Sequence, residues 1–291
     1  MQKVNFNLLP FSSYSTIGSE DILALDALIC EIKATGDIIS VPTEFYTSKD
    51  ANLEDFTSVI EKCYEEHHDE LSFLIDLVFQ NRASDLSYEE LFEDAQHQND
   101  NRTVYTGFVK DSVEDEFVLN YLTATDENSL RNVYRHIAMY FTEYSNLYSW
   151  RTRCFPKLLF TQDAFDNTDK IGFYQDNYPE IRKCLSILND EGLQLYFDRT
   201  EDEAINILQS KTGVHCSGKG ANERNTFKKQ VVFQKSKYEI SCIPHFKLDA
   251  AYSNKRLHFC WGRDEISCHR IIIVHVGEHW KKDNSMCSVI E

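Results

Sequence analysis

Arg256-Leu257-His258-Phe259-Cys260-Trp261 alternates polar and apolar side chains with the period of two that a β-strand imposes. Arg256, His258 and Cys260 share one face, with Leu257, Phe259 and Trp261 opposite. Neighbouring segments repeat the pattern. In His245-Phe246-Lys247-Leu248, His245 and Lys247 face away from Phe246 and Leu248. In residues 270–276, Ile271, Ile273 and His275 lie on one side, continuing to Gly277 and His279 if the strand persists. Ile272, Val274 and Val276 lie on the other. Val231-Val232-Phe233 and residues 238–243 also read as strands. The connections are too short for crossover helices, so this region predicts a small antiparallel sheet.

Upstream the character differs. Residues 211–226 carry Gly213, Gly218 and Gly220 and read as a linker. Gly218-Lys219-Gly220 lacks the spacer and the following Ser/Thr of a phosphate loop. Residues 1–210 read mainly as helices. Ser19-Glu20-Asp21 starts one, with Ile22, Leu25, Leu28, Ile29 and Ile32 at helical spacing. Residues 53–80 form a long periodic stretch, residues 87–95 a short acidic helix, and Ser129 caps another. Residues 178–190 and 201–209 complete the set. Burial of one helix face accounts for each stripe. Residues 37–48 and 103–108 look like short strands, and Asn99-Asp100-Asn101 like a turn. The expected fold is α+β: a mainly helical region over 1–210, then a small antiparallel β-sheet domain over 211–291.

Charge follows the same division. The 291 residues carry a net −17. Residues 1–210 hold 16 Lys+Arg against 39 Asp+Glu, a balance of −23; residues 211–291 hold 14 against 8, a balance of +6. Six of the ten histidines follow residue 210. A basic, His-rich segment suits a polyanion such as RNA or another nucleic acid. The acidic region suits a soluble surface or a protein partner. No apolar run approaches the roughly 18–20 residues of a membrane span, and the N-terminus has no signal-peptide core, so no membrane contact and a cytoplasmic location are expected. The nine cysteines include no Cys-x2-Cys pair and read as reduced thiols.

The His/Lys/Arg face defines the candidate chemistry. Metal-independent RNA cleavage needs a base for the 2′-OH, an acid for the leaving 5′ oxygen, and fixed positive charge around phosphorus. Histidine suits both proton roles. The candidate catalytic residues are His245, Lys247, Arg256, His258, His275 and His279. In this reading His245 and His275 transfer protons, Lys247 and Arg256 bind the scissile phosphate, and His258 and His279 support them. Lys247, Arg256, Arg263 and Arg270 are the candidate nucleic-acid contacts. No cofactor is expected. A solvated basic sheet face is the plain alternative. Zinc is another, since His275-x3-His279 lies near Cys260, Cys268 and His269, although the β-branched run before His275 reads as strand. A Cys–His nucleophile has no local signature.

The blocks His245–Leu248, Arg256–Phe259 and Ile273-Val274-His275-Val276-Gly277-Glu278-His279-Trp280 resemble the C-terminal block of an uncharacterised bacterial protein family. Its pattern is roughly H-x-K-L, R-I-(H/Y)-F and I-G-(H/Y)-I-G-x-H-L. Trp150–Phe160 resembles the same family's R-x-x-F-P-x-L-x-F motif. Val274 stands where that pattern has Gly, and Trp280 where it has Leu. The resemblance implies membership and no activity. The strand order is also similar to ribosome-dependent RNase toxins of the RelE type, which are small and basic and lack a large acidic part. That likeness implies a toxin-like RNase of a phage-defence or toxin–antitoxin system. A non-enzymatic nucleic-acid- or partner-binding accessory subunit of a defence complex is the alternative.

Overall fold

Lys3-Val4-Asn5-Phe6-Asn7-Leu8 alternates polar and apolar residues and forms strand β1 (Lys3–Leu8) of a computed structural model. The structure describes residues 2–11, 13–14, 17–50, 52–66, 69–99, 102–110, 121–218, 227–249, 254–279 and 287–290. They form two compact units, Met1–Tyr140 and Phe141–Glu291.

In the first unit, β1 leads through α1 (Ser19–Ala34) to β2 (Ile38–Pro42), and through α2 (Phe56–Glu66) and α3 (Asp69–Phe79) to β3 (Arg82–Ser84). The chain then returns through α4 (Tyr88–Gln96) to β4 (Val104–Val109), followed by β5 (Thr123–Ala124) and α5 (Glu127–Ile137). The five strands pair in the order β3-β2-β1-β4-β5, and every pair is parallel. The order reverses between β1 and β4, the switch of a doubly wound sheet. Both faces are therefore covered. Phe6 meets Tyr134 of α5 edge-to-face at 5.9 Å. On the opposite face, Phe92 of α4 packs on Phe108 at 5.2 Å.

This parallel sheet corrects the expected fold class. The first half is α/β, not mainly helical. Residues 37–48 and 103–108 do contain strands, β2 and β4. Their partner β1 opens the chain with two asparagines, and β3 and β5 have only three and two residues, too few to show a period.

The second unit opens with short α6 (Tyr144–Ser149), α7 (Arg151–Cys154) and β6 (Leu159–Phe160). Helices α8 (Tyr174–Ile187), α9 (Leu193–Asp198) and α10 (Glu201–Thr212) follow, then β7 (Cys216–Ser217), β8 (Lys228–Phe233), β9 (Ser236–Ser241), β10 (His245–Lys247), β11 (Lys255–Cys260), α11 (Asp264–Ser267), β12 (Ile272–Glu278) and β13 (Cys287–Val289). They make two sheets, β6-β12-β11-β10-β7 and β13-β8-β9. The expectation of one antiparallel sheet is corrected here too. β10, β11 and β12 are antiparallel, but β6 joins β12 in parallel from over a hundred residues upstream, and β13 is parallel to β8. A short connection does not ensure even that consecutive strands pair: β9 and β10 are joined by residues 242–244 and lie in different sheets. It says nothing about which distant strand takes an edge.

Of the linker read at 211–226, Cys216–Ser217 is strand, and residues 219–226 lie outside the described residues, as do Asp100 and Asn101 of the turn read at 99–101. Among the described residues, no helix is long and apolar enough to cross a membrane.

Candidate active site

The ladders of β7, β10, β11 and β12 decide which side chains meet. His245 lies opposite Ser217 on one side and His258 on the other, and His258 lies opposite His275. Residues directly opposite share a face. One row thus runs Ser217, His245, His258, His275. The next row runs Lys247, Arg256, Gly277. Beyond β12, the His279 N–H donates to the Asn254 carbonyl. The ring centroids of His245 and His258 are 4.7 Å apart, and His279 stands 6.0 Å from both. His258 and His275 are also 6.0 Å apart.

Hydrogen bonds to carbonyl oxygens set the tautomers, because a carbonyl can only accept. His245 Nδ1 donates to the Ile243 carbonyl at 2.9 Å, so its Nε2 is the basic nitrogen of the neutral ring. His258 Nδ1 donates to the Cys242 carbonyl at 2.9 Å, with the same result. His275 is reversed: Nε2 donates to the Glu278 carbonyl at 2.7 Å. Its ring folds back along the strand over Gly277. A Cβ there would lie 2.9 Å from two imidazole atoms and 3.0 Å from the Asn167 carbonyl, so only glycine leaves room for the ring.

A cavity of about 730 Å³ opens on one end of these rows. Its walls include His215, His245, Lys247, Arg256 and His279, with Asp202 and Asn206 reaching in from α10. Five of the wall residues are imidazole, ammonium or guanidinium groups, which suits an anion. Burial pushes the His245 imidazole down to about 4, helped by the charges of Arg256, His279 and Lys247. Arg256 is also lowered by burial, yet a guanidinium stays protonated in a protein.

His258 and His275 do not line the cavity. His258 is wholly buried and stacked against Phe227 at 5.5 Å; burial first, then His245, holds it well below the usual imidazole range. His275 is lowered by burial as well. Of the sequence candidates, then, His245, Lys247, Arg256 and His279 stand at the cavity, with His258 and His275 behind them. Arg263 and Arg270 lie outside its lining. Arg263 faces Glu265 at 3.6 Å and donates to the Glu239 carbonyl at 3.2 Å, and Arg270 is exposed before β12.

Sequence reasoning missed His215, Asp202, Asn206 and Phe227. His215 precedes a two-residue strand in a glycine-bounded stretch, where no period can be read. Asp202 and Asn206 are one turn apart on α10, a spacing indistinguishable from an ordinary solvated face.

The zinc alternative required His275 and His279 on a helix. His275 lies in β12 instead, and its Nε2 is engaged with Glu278. His269 faces Asp264 at 2.5 Å. Among the described residues, no group of three or more His, Cys, Asp or Glu is arranged to hold a metal ion. Cys216 and Cys260, the thiols nearest the histidine rows in sequence, are both pushed up to about 12 by burial and are poor nucleophiles.

Fold and site define an α/β chain of two units, the second bearing a cavity walled by imidazole, ammonium and guanidinium groups. No protein-family model, curated protein or solved structure matches the chain.

Proposed function

We propose that the chain is a metal-independent ribonuclease, a toxin-like effector acting in the bacterial cytoplasm within a phage-defence or toxin–antitoxin system, as its likeness to RelE-type toxins suggests. One observation carries the chemical part: His215, His245, His279, Lys247 and Arg256 converge on one cavity.

In this reading the scissile phosphate sits against Lys247 and Arg256. His245 presents Nε2 as a proton acceptor and takes the 2′-OH proton. The 2′ oxygen attacks phosphorus, the bond to the 5′ oxygen breaks, and a protonated His279 or His215 donates to that leaving oxygen. The products are a 2′,3′-cyclic phosphate and a free 5′-OH. His245 is a weak base while the cavity is empty. A bound phosphodiester offsets the cations around it and raises its affinity for a proton. His258 and His275 are positioning residues that hold His245 from behind. The acidic first region would dock a protein partner or shield the basic site.

The low basicity of His245 favours one second reading, a nucleic-acid-binding accessory subunit without turnover. Incubating the purified chain with labelled RNA and DNA, in EDTA and in Mg²⁺, separates the two. RNA cleavage that resists EDTA and leaves cyclic phosphate ends is the expected result. Salt-sensitive RNA binding without cleavage supports the second reading, and cleavage only with Mg²⁺ overturns the mechanism.

A further inference from the structure

A second cavity in the same unit, also about 730 Å³, shares no lining residue with the first. Its walls are aromatic: Tyr144, Tyr148, Phe165, Phe173 and Tyr174. Glu143, Asp166 and Asp169 add negative charge, and among the described residues no Lys, Arg or His lines it. Tyr144 and Tyr174 are buried and pack edge-to-face at 5.1 Å. Tyr148 and Phe165 are 5.9 Å apart.

Phe173 differs from the other four. It is 83% exposed, the most exposed large apolar side chain among the described residues. Its backbone is nevertheless fastened. Gly172 before it takes φ +95°, a left-handed conformation that favours glycine. Tyr144 Oη donates to the Gly172 and Phe173 carbonyls at 3.4 Å, and Asn177 Nδ2 donates to the Phe173 carbonyl at 2.7 Å. Folding thus fixes the loop while leaving the phenyl ring in water at the cavity's edge.

These features select a ligand. An anion meets three carboxylates. A small metal ion needs its carboxylates gathered on one point, and among the described residues no group of three or more His, Cys, Asp or Glu is so arranged. A neutral apolar molecule gains nothing from the carboxylates. A carbon-bearing ammonium uses both, since aromatic faces attract it and also cover its methyl or methylene groups. Tyr148 already holds one organic cation in this way, the Arg151 guanidinium 4.2 Å from its ring centroid, and Arg151 is not part of the cavity wall. The volume falls within the ordinary range of small-molecule sites. We infer that this cavity is a binding site for an alkylammonium cation, with Phe173 closing over the bound carbon chain.

The test is calorimetric titration of the full chain with tetramethylammonium, spermidine and Nα-acetyl-trimethyllysine, each compared with the alcohol 3,3-dimethylbutanol, whose tert-butyl group has the shape of a trimethylammonium without its charge. Saturable binding of at least one cation, about fivefold or more tighter than the alcohol, is expected. Phe173→Ala should weaken it about fivefold or more. Asp166→Asn with Asp169→Asn should weaken it and flatten its salt dependence. All three side chains are exposed, so the melting temperature should hold and unfolding cannot explain the loss. Preference for spermidine identifies a free polyamine as the ligand, and preference for trimethyllysine a methylated side chain. Equal binding of alcohol and cation, binding indifferent to Phe173→Ala, or no saturation by any cation overturns the site. RNA cleavage plays no part in this readout.

Discussion

Each five-stranded sheet has one polar face, and the two faces differ in kind. In the first unit that face carries Asn5, Asn7, Ser40 and Thr106, which are neutral and largely bonded to one another or to α4. Ser40 Oγ donates to Asn5 Oδ1 at 2.8 Å, Asn7 Nδ2 donates to the Asn5 and Gly107 carbonyls at 3.2 and 3.3 Å, and Gln98 Oε1 accepts from the Thr106 N–H at 3.0 Å. In the second unit the face carries three histidines, a lysine and an arginine, and one end opens into a cavity. The first face makes most of its hydrogen bonds internally, leaves Asn7 Oδ1 without a partner among the described residues, and borders a smaller cavity of about 440 Å³ where Arg82 and Asp85 offset each other in charge. The second lines its cavity with His245, whose Nε2 is the acceptor nitrogen, and with Lys247 and Arg256 against the carboxylate of Asp202, a balance that suits an anion. Polarity alone therefore does not mark a site. A cluster of titratable groups of one sign at a cavity distinguishes the second face, since among the described residues the first has one cation and one carboxylate there.

The largest expected effect breaks that contrast at its centre. If His245 is the base, His245→Ala should lower RNA cleavage by about 10² to 10⁴, the usual range for a general acid–base group. Lys247→Ala and Arg256→Gln should each weaken RNA binding and cleavage together. His258→Asn acts through His245, so it should shift the pH profile of cleavage more than the binding of RNA. Gel assays of cleavage over a pH series separate these outcomes. Cleavage intact in His245→Ala would remove the assigned roles.

Next in size is acid sensitivity. Between about pH 6.5 and 4 an unfolded His245 holds a proton that the folded ring refuses, so unfolding takes up protons. Its contribution is complete above about 6.5 and is lost as pH falls toward about 4. The shift from 6.5 to about 4 corresponds to roughly 3 kcal/mol. His258 and His275 shift in the same direction and add to the loss. The amide and hydroxyl face of the first unit does not titrate there. Trp150, Trp261 and Trp280 all belong to the second unit, so tryptophan fluorescence follows that unit alone. Its transition should move to lower temperature in this window, and inorganic phosphate should partly restore it. A fluorescence transition independent of pH from 7 to 4.5 would contradict the buried neutral imidazoles.

The converse experiment is made on the neutral face. Asn7 is fully buried, and Asn7→Ala removes its bonds to the Asn5 and Gly107 carbonyls. The expected cost is about 1–3 kcal/mol of stability, read as a lower melting temperature by circular dichroism, with RNA cleavage unchanged. A loss of cleavage at unchanged stability would give this face a functional role and erase the contrast.

The two faces were unequally legible in the sequence. The alternation through Arg256–Trp261 and His245–Leu248 places His245, Lys247, Arg256 and His258 on one face, and the ladder puts them opposite one another. Alternation reports which face a residue occupies and not whether that face is covered. Nothing in the period shows that Phe227 seals His258 while α10 leaves His245 at a cavity. The parallel sheet was hidden for another reason. Its first strand, Lys3–Leu8, alternates polar and apolar residues but is absent from the strands expected, and its edge strands are too short to carry a pattern. The pairing of β1 with both β2 and β4 depends on crossovers that no local window contains.

The smallest expected effects concern Arg263 and Arg270, which share the basic character of the second unit and stand outside the cavity wall. If they meet only RNA backbone, each substitution to glutamine should reduce the slope of log affinity against log salt by about 0.7, the contribution of one phosphate contact on a single strand. The cleavage rate at saturating RNA should not change, because neither side chain reaches the reacting phosphate. Arg263 already faces Glu265 and donates to the Glu239 carbonyl, so part of its charge is committed and Arg270→Gln should have the larger effect. Filter-binding titrations from low to moderate salt, run beside single-turnover cleavage, measure both quantities. A fall in the saturating rate for either variant would extend the reactive surface beyond the cavity, and the boundary drawn between charge that binds and charge that reacts would have to move outward along β12.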